Sequence, residues 1–212
     1  MNWVLETFTS SIGKKTLMAV TGLSFCAFLA LHLFGNFFLY VGRESFNSYV
    51  VHLHTLGVLV NLAEAGLIAF ALIHVITAVT LYFQNLFSRP ARYAVKKSAG
   101  GRTWASRLMP YTGLYILIFV LIHLVNIKFA ETPNRTVYDL VDALFTNPGY
   151  LAYYVFSMIV VAFHVSHGLW SGFQTLGLNH PQYMPAIQKL SLALAVIVGV
   201  GFGFIPIMMF AG

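Results

Sequence analysis

The first property of this sequence that stands out is how little charge it carries. Only 8% of its 212 residues are Asp, Glu, Lys or Arg, whereas soluble domains carry about 25%. Hydrophobic residues make up 58%, which is more apolar surface than one water-soluble core of this size can bury. The sequence therefore predicts a membrane protein whose length is mostly used by spans, with no room for a soluble enzyme domain.

Other missing features exclude further classes. Cys26 is the only cysteine, which excludes a disulfide framework and a cysteine-ligated iron–sulfur cluster in this chain. Residues 1–11 contain Glu6 and no basic residue, so no cleavable signal is expected. No Gly-rich dinucleotide fingerprint and no Arg/His cluster lies outside the apolar stretches, so neither a dinucleotide nor a dicarboxylate site is expected. Nothing indicates a nucleic-acid partner.

What is present is a series of long apolar stretches. Each reaches the roughly 20 residues that a helix needs to cross hydrocarbon. The stretch after Asn147-Pro148 ends before a cluster of breakers that includes Gly177 and His180-Pro181. The prediction is one all-α transmembrane domain of five helices, with spans near residues 16–42, 60–88, 108–128, 149–174 and 189–211.

The basic residues predict how these spans are oriented. Nine of them fall on the side of the N-terminus and three on the other, which places the N-terminus in the cytoplasm. The positive charges of the basic loop 89–107 have two interpretations. They set the orientation of the protein in the membrane and do nothing else, or they also bind a partner protein or anionic lipid. Two segments on the outer side have apolar residues at positions i, i+3, i+4 and i+7. They run from Phe46 to Leu53 and from Val137 to Leu144, and the spacing predicts two short amphipathic helices on the membrane surface.

Four histidines lie deep in four of the five apolar stretches: His32, His74, His123 and His164. Ionisable residues are costly in hydrocarbon and need a partner. His32 lies 17 residues past Lys15 and His123 lies 16 past Arg107. At about 1.5 Å per residue, both lie roughly 25 Å from the inner surface, while His74 and His164 lie at about 15 Å. Two histidines at each of two depths predict two bis-histidine haem centres.

An internal repeat supports this pairing. Leu17-Met18, Thr21-Gly22-Leu23, Phe28 and His32-Leu33 recur at an offset of 91 as Leu108-Met109, Thr112-Gly113-Leu114, Phe119 and His123-Leu124. His74-Val75 and Phe83 recur at an offset of 90. The first two helices therefore look like a parallel duplicate of the third and fourth. Gly22 and Gly113 are positions where a flat macrocycle or a neighbouring helix could approach closely.

Each histidine also has an alternative interpretation. A single intramembrane histidine is often a packing residue or a proton relay, and four at two matched depths disfavour that. Zinc is disfavoured because no Cys or acidic residue joins the set at the right depth. His167 is an alternative ligand one turn inward, although depth matching with His74 favours His164. His52, His54 and His180 are interpreted as interface residues.

These features resemble the dihaem cytochrome b subunit of succinate:quinone oxidoreductases, the type with a single five-helix membrane subunit. The resemblance runs from about Lys14 to Phe210. The segments that carry it are Ala30-Leu31-His32-Leu33, Ser45-Phe46-Asn47-Ser48, Ile73-His74-Val75, Ile122-His123-Leu124, Asn147-Pro148-Gly149-Tyr150, and Phe163-His164 followed by Gly168-Leu169-Trp170.

The resemblance implies that His32 and His123 hold an outer haem b and that His74 and His164 hold an inner one. It also implies menaquinone as substrate and two soluble partners on the cytoplasmic face of a bacterial membrane: a flavoprotein with FAD and an iron–sulfur protein. Some fumarate reductases of this family carry a proton-transferring glutamate two residues before the fourth ligand. Ala162 stands there in this chain, which puts that proton route in doubt.

Glu64 is a candidate for the quinone chemistry. It lies ten residues before His74, so it falls about 15 Å further out, near the outer interface. A carboxylate there could relay protons to or from a quinone, or it could simply mark the N-terminal end of its helix, where acids are favourable.

Two other functions are possible, and each would require a different pattern of residues from the one in this sequence. A hydrogenase or formate dehydrogenase cytochrome b also uses several helical histidines, but the duplicated pattern of one ligand per helix disfavours it. A proton-coupled transporter should show discontinuous helices and paired acids at mid-membrane, where Glu64 is the only candidate.

Overall fold

The computed structural model describes residues 3–88, 104–130 and 135–212. These residues form α-helices and one π-helical turn, without any strand among them. The elements in chain order are α1 (Trp3–Thr9), α2 (Ser11–Asn36), α3 (Phe38–Val41), α4 (Arg43–Thr55), α5 (Val58–Phe87), α6 (Trp104–His123), the π-turn (Leu124–Lys128), α7 (Val137–Phe145), α8 (Pro148–Thr175) and α9 (Met184–Ala211).

Five helical segments are long and apolar enough to cross a membrane, which confirms the predicted all-α fold with five spans. They are Ser11–Val41, Val58–Phe87, Trp104–Lys128, Pro148–Thr175 and Met184–Ala211. The first begins five residues earlier than predicted because the Ser10 side chain accepts a hydrogen bond from Gly13 N, which caps the helix. The fifth begins at Met184 because Pro185 lies in its first turn, where proline is tolerated.

Helix α8 is the centre of the bundle. It packs against α2, α6 and α9, while α5 packs mainly on α2. Buried serines link these helices through hydrogen bonds. Ser191 Oγ donates to Ser166 O at 2.8 Å, and Tyr115 Oη lies 3.0 Å from Ser157 Oγ. Such bonds between helices satisfy polar groups that have no water to bond to in hydrocarbon.

Glycines allow α9 to approach both α8 and α2 closely. A Cβ atom added at Gly199 would lie only 2.9 Å from the Cβ of Ala162, and one added at Gly201 would lie 2.9 Å from the Leu33 side chain. Small residues at such a crossing let two backbones meet. The same contact explains why Ala162 is small: a glutamate at this position would have to displace α9.

The two predicted amphipathic surface segments are confirmed as helices, α4 and α7. Their apolar faces are buried, with Phe46 6% and Phe145 4% exposed. Thr136 and Asp139 form a capping box at the start of α7. An ion pair between Arg43 and Asp139 joins α4 to α7. Together these helices cover the end of the bundle that is predicted to face outward.

The basic inner loop falls largely outside the described residues. Arg89, Arg92, Lys96, Lys97 and Arg102 lie there, so their part in docking stays a prediction. Arg107 is described, in the first turns of α6, and its guanidinium lies 5.2 Å from the centre of the Trp104 ring.

Candidate bis-histidine sites

The four histidines predicted as ligands come from four different spans. His32 lies on α2, His74 on α5, His164 on α8, and His123 is the last residue of α6. His32 and His123 meet in the outer half of the bundle, where their ring centres are 6.1 Å apart and their planes cross at 80°. These residues are 91 apart in sequence, so tertiary packing alone brings them together.

The separation of the outer rings fits a metal ion between them. A metal–imidazole bond is about 2.0 Å, and a ring nitrogen lies about 1.1 Å from its ring centre. Two imidazoles on opposite sides of one ion therefore have centres about 6.2 Å apart. His123 Nδ1 is moreover buried and has no hydrogen-bond partner among the described residues. The separation therefore leaves room for one metal ion between the two rings.

Aromatic rings hold the outer pair in place. His32 stacks on Phe28, with ring centres 5.3 Å apart, and lies 5.3 Å from Phe202 of α9. His123 lies 5.8 Å from Phe119 and 6.0 Å from Tyr154. The outer histidines are therefore positioned by ring packing, which excludes water from this region.

Hydroxyl groups hold the inner pair instead. Thr21 Oγ1 on α2 lies 3.0 Å from His74 Nδ1, and Thr112 Oγ1 on α6 lies 3.0 Å from His164 Nδ1. The two inner histidines therefore make equivalent contacts, each with a threonine of the repeated helix. Each inner histidine is thus bonded to a threonine of the membrane span that precedes its own span in the sequence.

Gly22 and Gly113 explain how the inner rings come so close to the neighbouring helix. A Cβ atom added at Gly22 would lie 3.2 Å from His74 Cε1, and one added at Gly113 would lie 3.4 Å from His164 Cε1. The sequence predicted a macrocycle or a helix at these glycines. The group that the structure places against each glycine is the imidazole of the candidate ligand.

These contacts confirm the internal repeat at atomic detail. Thr21 Oγ1 donates to Leu17 O at 2.8 Å and Thr112 Oγ1 donates to Leu108 O at 3.0 Å. The two threonines, their glycines and their carbonyl acceptors are each 91 residues apart. The duplicated helix therefore carries a duplicated histidine-holding contact.

The remaining histidines have different surroundings. His167 lies with its ring edge 4.7 Å from Trp170, and its Nδ1 is buried without a hydrogen-bond partner among the described residues. His164 Nδ1, in contrast, lies against the Thr112 hydroxyl. His180 stacks on Tyr183 in the inner loop, and His52 and His54 lie exposed in the last turn of α4, as expected of interface residues.

Glu64 forms an ion pair with Lys128, a partner that the sequence analysis missed. Lys128 ends the π-turn that begins directly after His123. Isolated π-turns in helices are frequent at functional sites. The pair therefore ties the outer part of α5 to the segment that carries an outer histidine.

A cleft of about 450 Å³ opens beside this region, between α6 and the start of α8. It is lined by Ile122, the neighbour of His123, and by Asn147, Gly149, Tyr150 and Tyr153. The cleft is open on one side, whereas most small-molecule sites enclose their ligand.

The histidines occur as pairs and not as larger clusters. In the part of the chain that the structure describes, no three His, Cys, Asp or Glu side chains are grouped to hold a metal ion. Haem needs only two axial side chains, so the donor set fits haem iron. The fold and the site define a multi-pass α-helical membrane protein with two intramembrane histidine pairs.

Comparison with known proteins agrees with this class. The chain is 27% identical, over 183 residues, to the succinate dehydrogenase cytochrome b558 subunit of Bacillus subtilis (strain 168). The alignment covers 84% of each chain. It confirms the resemblance to the membrane-anchor cytochrome b of succinate:quinone oxidoreductases. No family model matches the chain, and neither does any solved structure.

Proposed function

We propose that this chain is the dihaem cytochrome b subunit that anchors a succinate dehydrogenase or fumarate reductase in the membrane. It passes electrons between a quinone, most simply menaquinone, and an iron–sulfur subunit. The observations that carry the proposal are the contact of His32 with His123 and the matched contacts of His74 and His164 with threonines of the repeated helix. The similarity to a succinate dehydrogenase cytochrome b subunit along most of the chain supports it.

His32 and His123 would hold the outer haem b, and His74 and His164 the inner one. The bound haems supply one-electron chemistry. The protein contributes two axial imidazoles per site, aromatic and aliphatic side chains that exclude water, and rigid helices that fix both ligand pairs. The two sites lie at different depths, so together they extend across much of the bilayer.

The soluble partners would sit at the inner, cytoplasmic face of a bacterial membrane. FAD and the iron–sulfur clusters belong to those partners. The excess of Lys and Arg on the side of the N-terminus supports this orientation. Five of the six acidic residues fall on the other side, which makes the charge asymmetry stronger.

Glu64 would be the proton relay at an outer quinone site. It lies on α5 near the outer pair, partly exposed to water, and it is held by Lys128. A carboxylate that exchanges its Lys128 partner for a proton can accept one from a quinol or supply one to a quinone.

An outer quinone site has an energetic consequence. Electrons would then cross most of the membrane, at about 2.3 kcal/mol per charge per 100 mV. Ala162 occupies the position at which some fumarate reductases carry a proton-transferring glutamate, and it packs against Gly199. No carboxylate is therefore present at this position to carry compensating protons. The membrane potential would assist succinate oxidation by menaquinone and oppose fumarate reduction.

The first test is a reduced-minus-oxidised spectrum with a haem assay on the purified chain. Two six-coordinate low-spin haems per chain are expected. His74→Ala and His32→Ala should each remove one haem, and the remaining haem should differ between them. A chain that binds no haem would contradict the proposal.

Docking is tested separately. Neutralising Arg92, Lys96, Lys97 and Arg102 together should weaken attachment of the soluble subunits, most clearly at low salt, because high salt already screens these charges in the wild type. Unchanged co-purification at every salt concentration would mean that these charges only orient the protein in the membrane and do not bind the soluble subunits.

The quinone site is tested with Glu64→Gln in the intact complex. Quinone turnover should fall strongly while both haems and dye-linked succinate oxidation remain normal. Glu44→Gln is the matched control because Glu44 is an exposed acid on the same side, in the first turn of α4. Normal quinone turnover in Glu64→Gln would remove Glu64 from the site.

A further inference from the structure

The two hydroxyl–imidazole contacts of the inner pair have a defined direction. A threonine hydroxyl has one hydrogen to donate. Thr21 Oγ1 lies 2.8 Å from Leu17 O and 3.2 Å from Met18 O, so its hydrogen points to its own helix backbone. Thr112 Oγ1 lies at 3.0 Å and 3.2 Å from the equivalent carbonyls of Leu108 and Met109. Each oxygen is therefore left to accept a hydrogen bond.

In the proposed site the histidine is the donor to each hydroxyl oxygen, and the Met18 carbonyl is a second acceptor beside the His74 ring. With Nδ1–H donating to threonine, the single proton of a neutral imidazole is located on Nδ1. Nε2 keeps its lone pair and is the nitrogen free to bind a metal ion. The contact at 3.0 Å also fixes the rotation of the ring about its bond to the chain.

We propose that Thr21 and Thr112 are positioning residues for the inner haem, which set both the tautomer and the electron donation of its two axial ligands. The inference rests on the proposed function, in which His74 and His164 bind haem iron. Gly22 and Gly113 contribute to the same positioning, because a side chain at either glycine would press on the imidazole ring that the threonine orients.

The expected effect is on the redox potential of the inner haem. An acceptor on the far nitrogen of an axial histidine increases the basicity of the ligating nitrogen. A more basic ligand stabilises ferric iron more than ferrous iron and so lowers the midpoint potential. Each threonine hydroxyl is itself bonded to a carbonyl, which polarises it further as an acceptor.

The outer pair provides an internal reference. His123 Nδ1 is buried without a partner among the described residues, and aromatic rings surround both outer histidines. Replacing Thr21 or Thr112 should therefore leave the outer haem unchanged. One redox titration of one protein reports both haems.

The experiment compares Thr21→Val, which removes the hydroxyl at nearly constant shape, with Thr21→Ser, which keeps it. The same two variants are made at Thr112. Thr80→Val is the matched control, because the Thr80 hydroxyl on α5 bonds only to Ile76 O of its own helix, at 2.7 Å. The readout is the midpoint potential of each haem in the assembled complex, followed by its visible and EPR spectra.

We expect the inner haem potential to rise in both valine variants, and to rise further when the two are combined. The serine variants, the Thr80→Val control and the outer haem should match the wild type. Equal inner-haem potentials in the valine, serine and wild-type proteins would overturn the inference. Should Thr21→Val not retain the inner haem, Thr21→Ala is titrated in its place. Loss in both hydroxyl-free variants with retention in Thr21→Ser supports positioning.

Failure of this inference can be told apart from failure of the proposed function. If His74→Ala leaves both haems in place, the ligand assignment itself is wrong. If His74→Ala removes one haem and Thr21→Val leaves its potential unchanged, only the role of the threonine is wrong.

Discussion

The inner and outer histidine pairs hold similar rings in different ways. At the inner pair, a threonine hydroxyl and a bare glycine backbone receive each imidazole. At the outer pair, Phe28, Phe119, Tyr154 and Phe202 pack around the rings. The inner histidines are oriented by directed hydrogen bonds, and the outer ones by shape. The inner site is therefore the more sensitive to loss of a single polar atom.

The difference arises within one duplicated helix. Thr21 and His32 are 11 residues apart, and so are Thr112 and His123. Eleven residues make about three turns, so both side chains lie on the same face of the helix. Helices α2 and α6 each supply an outer ligand and, about 16 Å further in, the holder of an inner ligand. Duplication of the two-helix unit, α2 with α5 and α6 with α8, thus produces two complete pairs.

The largest effect in this comparison should come from changing the inner ligand on α8. His164→Ala is expected to remove the inner haem completely, since the ring bonded to Thr112 is lost. His167→Ala, the matched variant one turn inward, should retain both haems, because its ring packs on Trp170 instead. Haem content per chain is the measurement, and the opposite result would exchange the roles of these two histidines.

A smaller effect should separate the two halves of the inner site. Gly22→Ala brings a methyl group to 3.2 Å from His74, which is tight, whereas Gly113→Ala brings one to 3.4 Å from His164, near ordinary contact. Overpacking of this kind costs about 1–3 kcal/mol. Gly22→Ala should therefore shift the spectrum or occupancy of the inner haem more than Gly113→Ala.

The control for these glycine variants is Gly66→Ala, where an added Cβ atom meets nothing within 4 Å. It should match the wild type. A larger disturbance from Gly113→Ala than from Gly22→Ala would show that the two rings are not held as described.

The smallest effect is expected at the cover over the outer pair. Arg43→Gln removes an ion pair with Asp139 and a contact 5.9 Å from the Tyr138 ring. Because the Arg43 side chain is 59% exposed, the cost should not exceed about 1 kcal/mol. Thermal loss of the outer haem signal should shift slightly, while the inner haem should not respond. Equal shifts for both haems would mean that α4 and α7 stabilise the whole bundle.

Much of this architecture could be predicted from the sequence. Low charge and apolar length identify the five spans, and the histidine depths identify which rings meet, since depth follows directly from helical rise. The periodicity of Phe46, Tyr49 and Val50 predicts α4 for the same reason. These are one-dimensional patterns that the helix geometry converts into positions.

Contacts between distant side chains could not be predicted in this way. Threonines in membrane helices commonly bond to their own backbone, so nothing in the sequence marks Thr21 as a partner of His74. Glu64 and Lys128 are 64 residues apart, and no sequence pattern links them. The packing of Ala162 on Gly199 likewise depends on how two helices cross.

The pairing of the histidines is the central claim, and it is tested most directly by haem content in matched double variants. The paired double His32→Ala/His123→Ala should retain one haem, with the potential of the inner centre. The crossed double His32→Ala/His164→Ala, with the same number of substitutions, should retain none. One haem in the crossed double, or none in the paired double with a folded chain, would contradict the pairing described here.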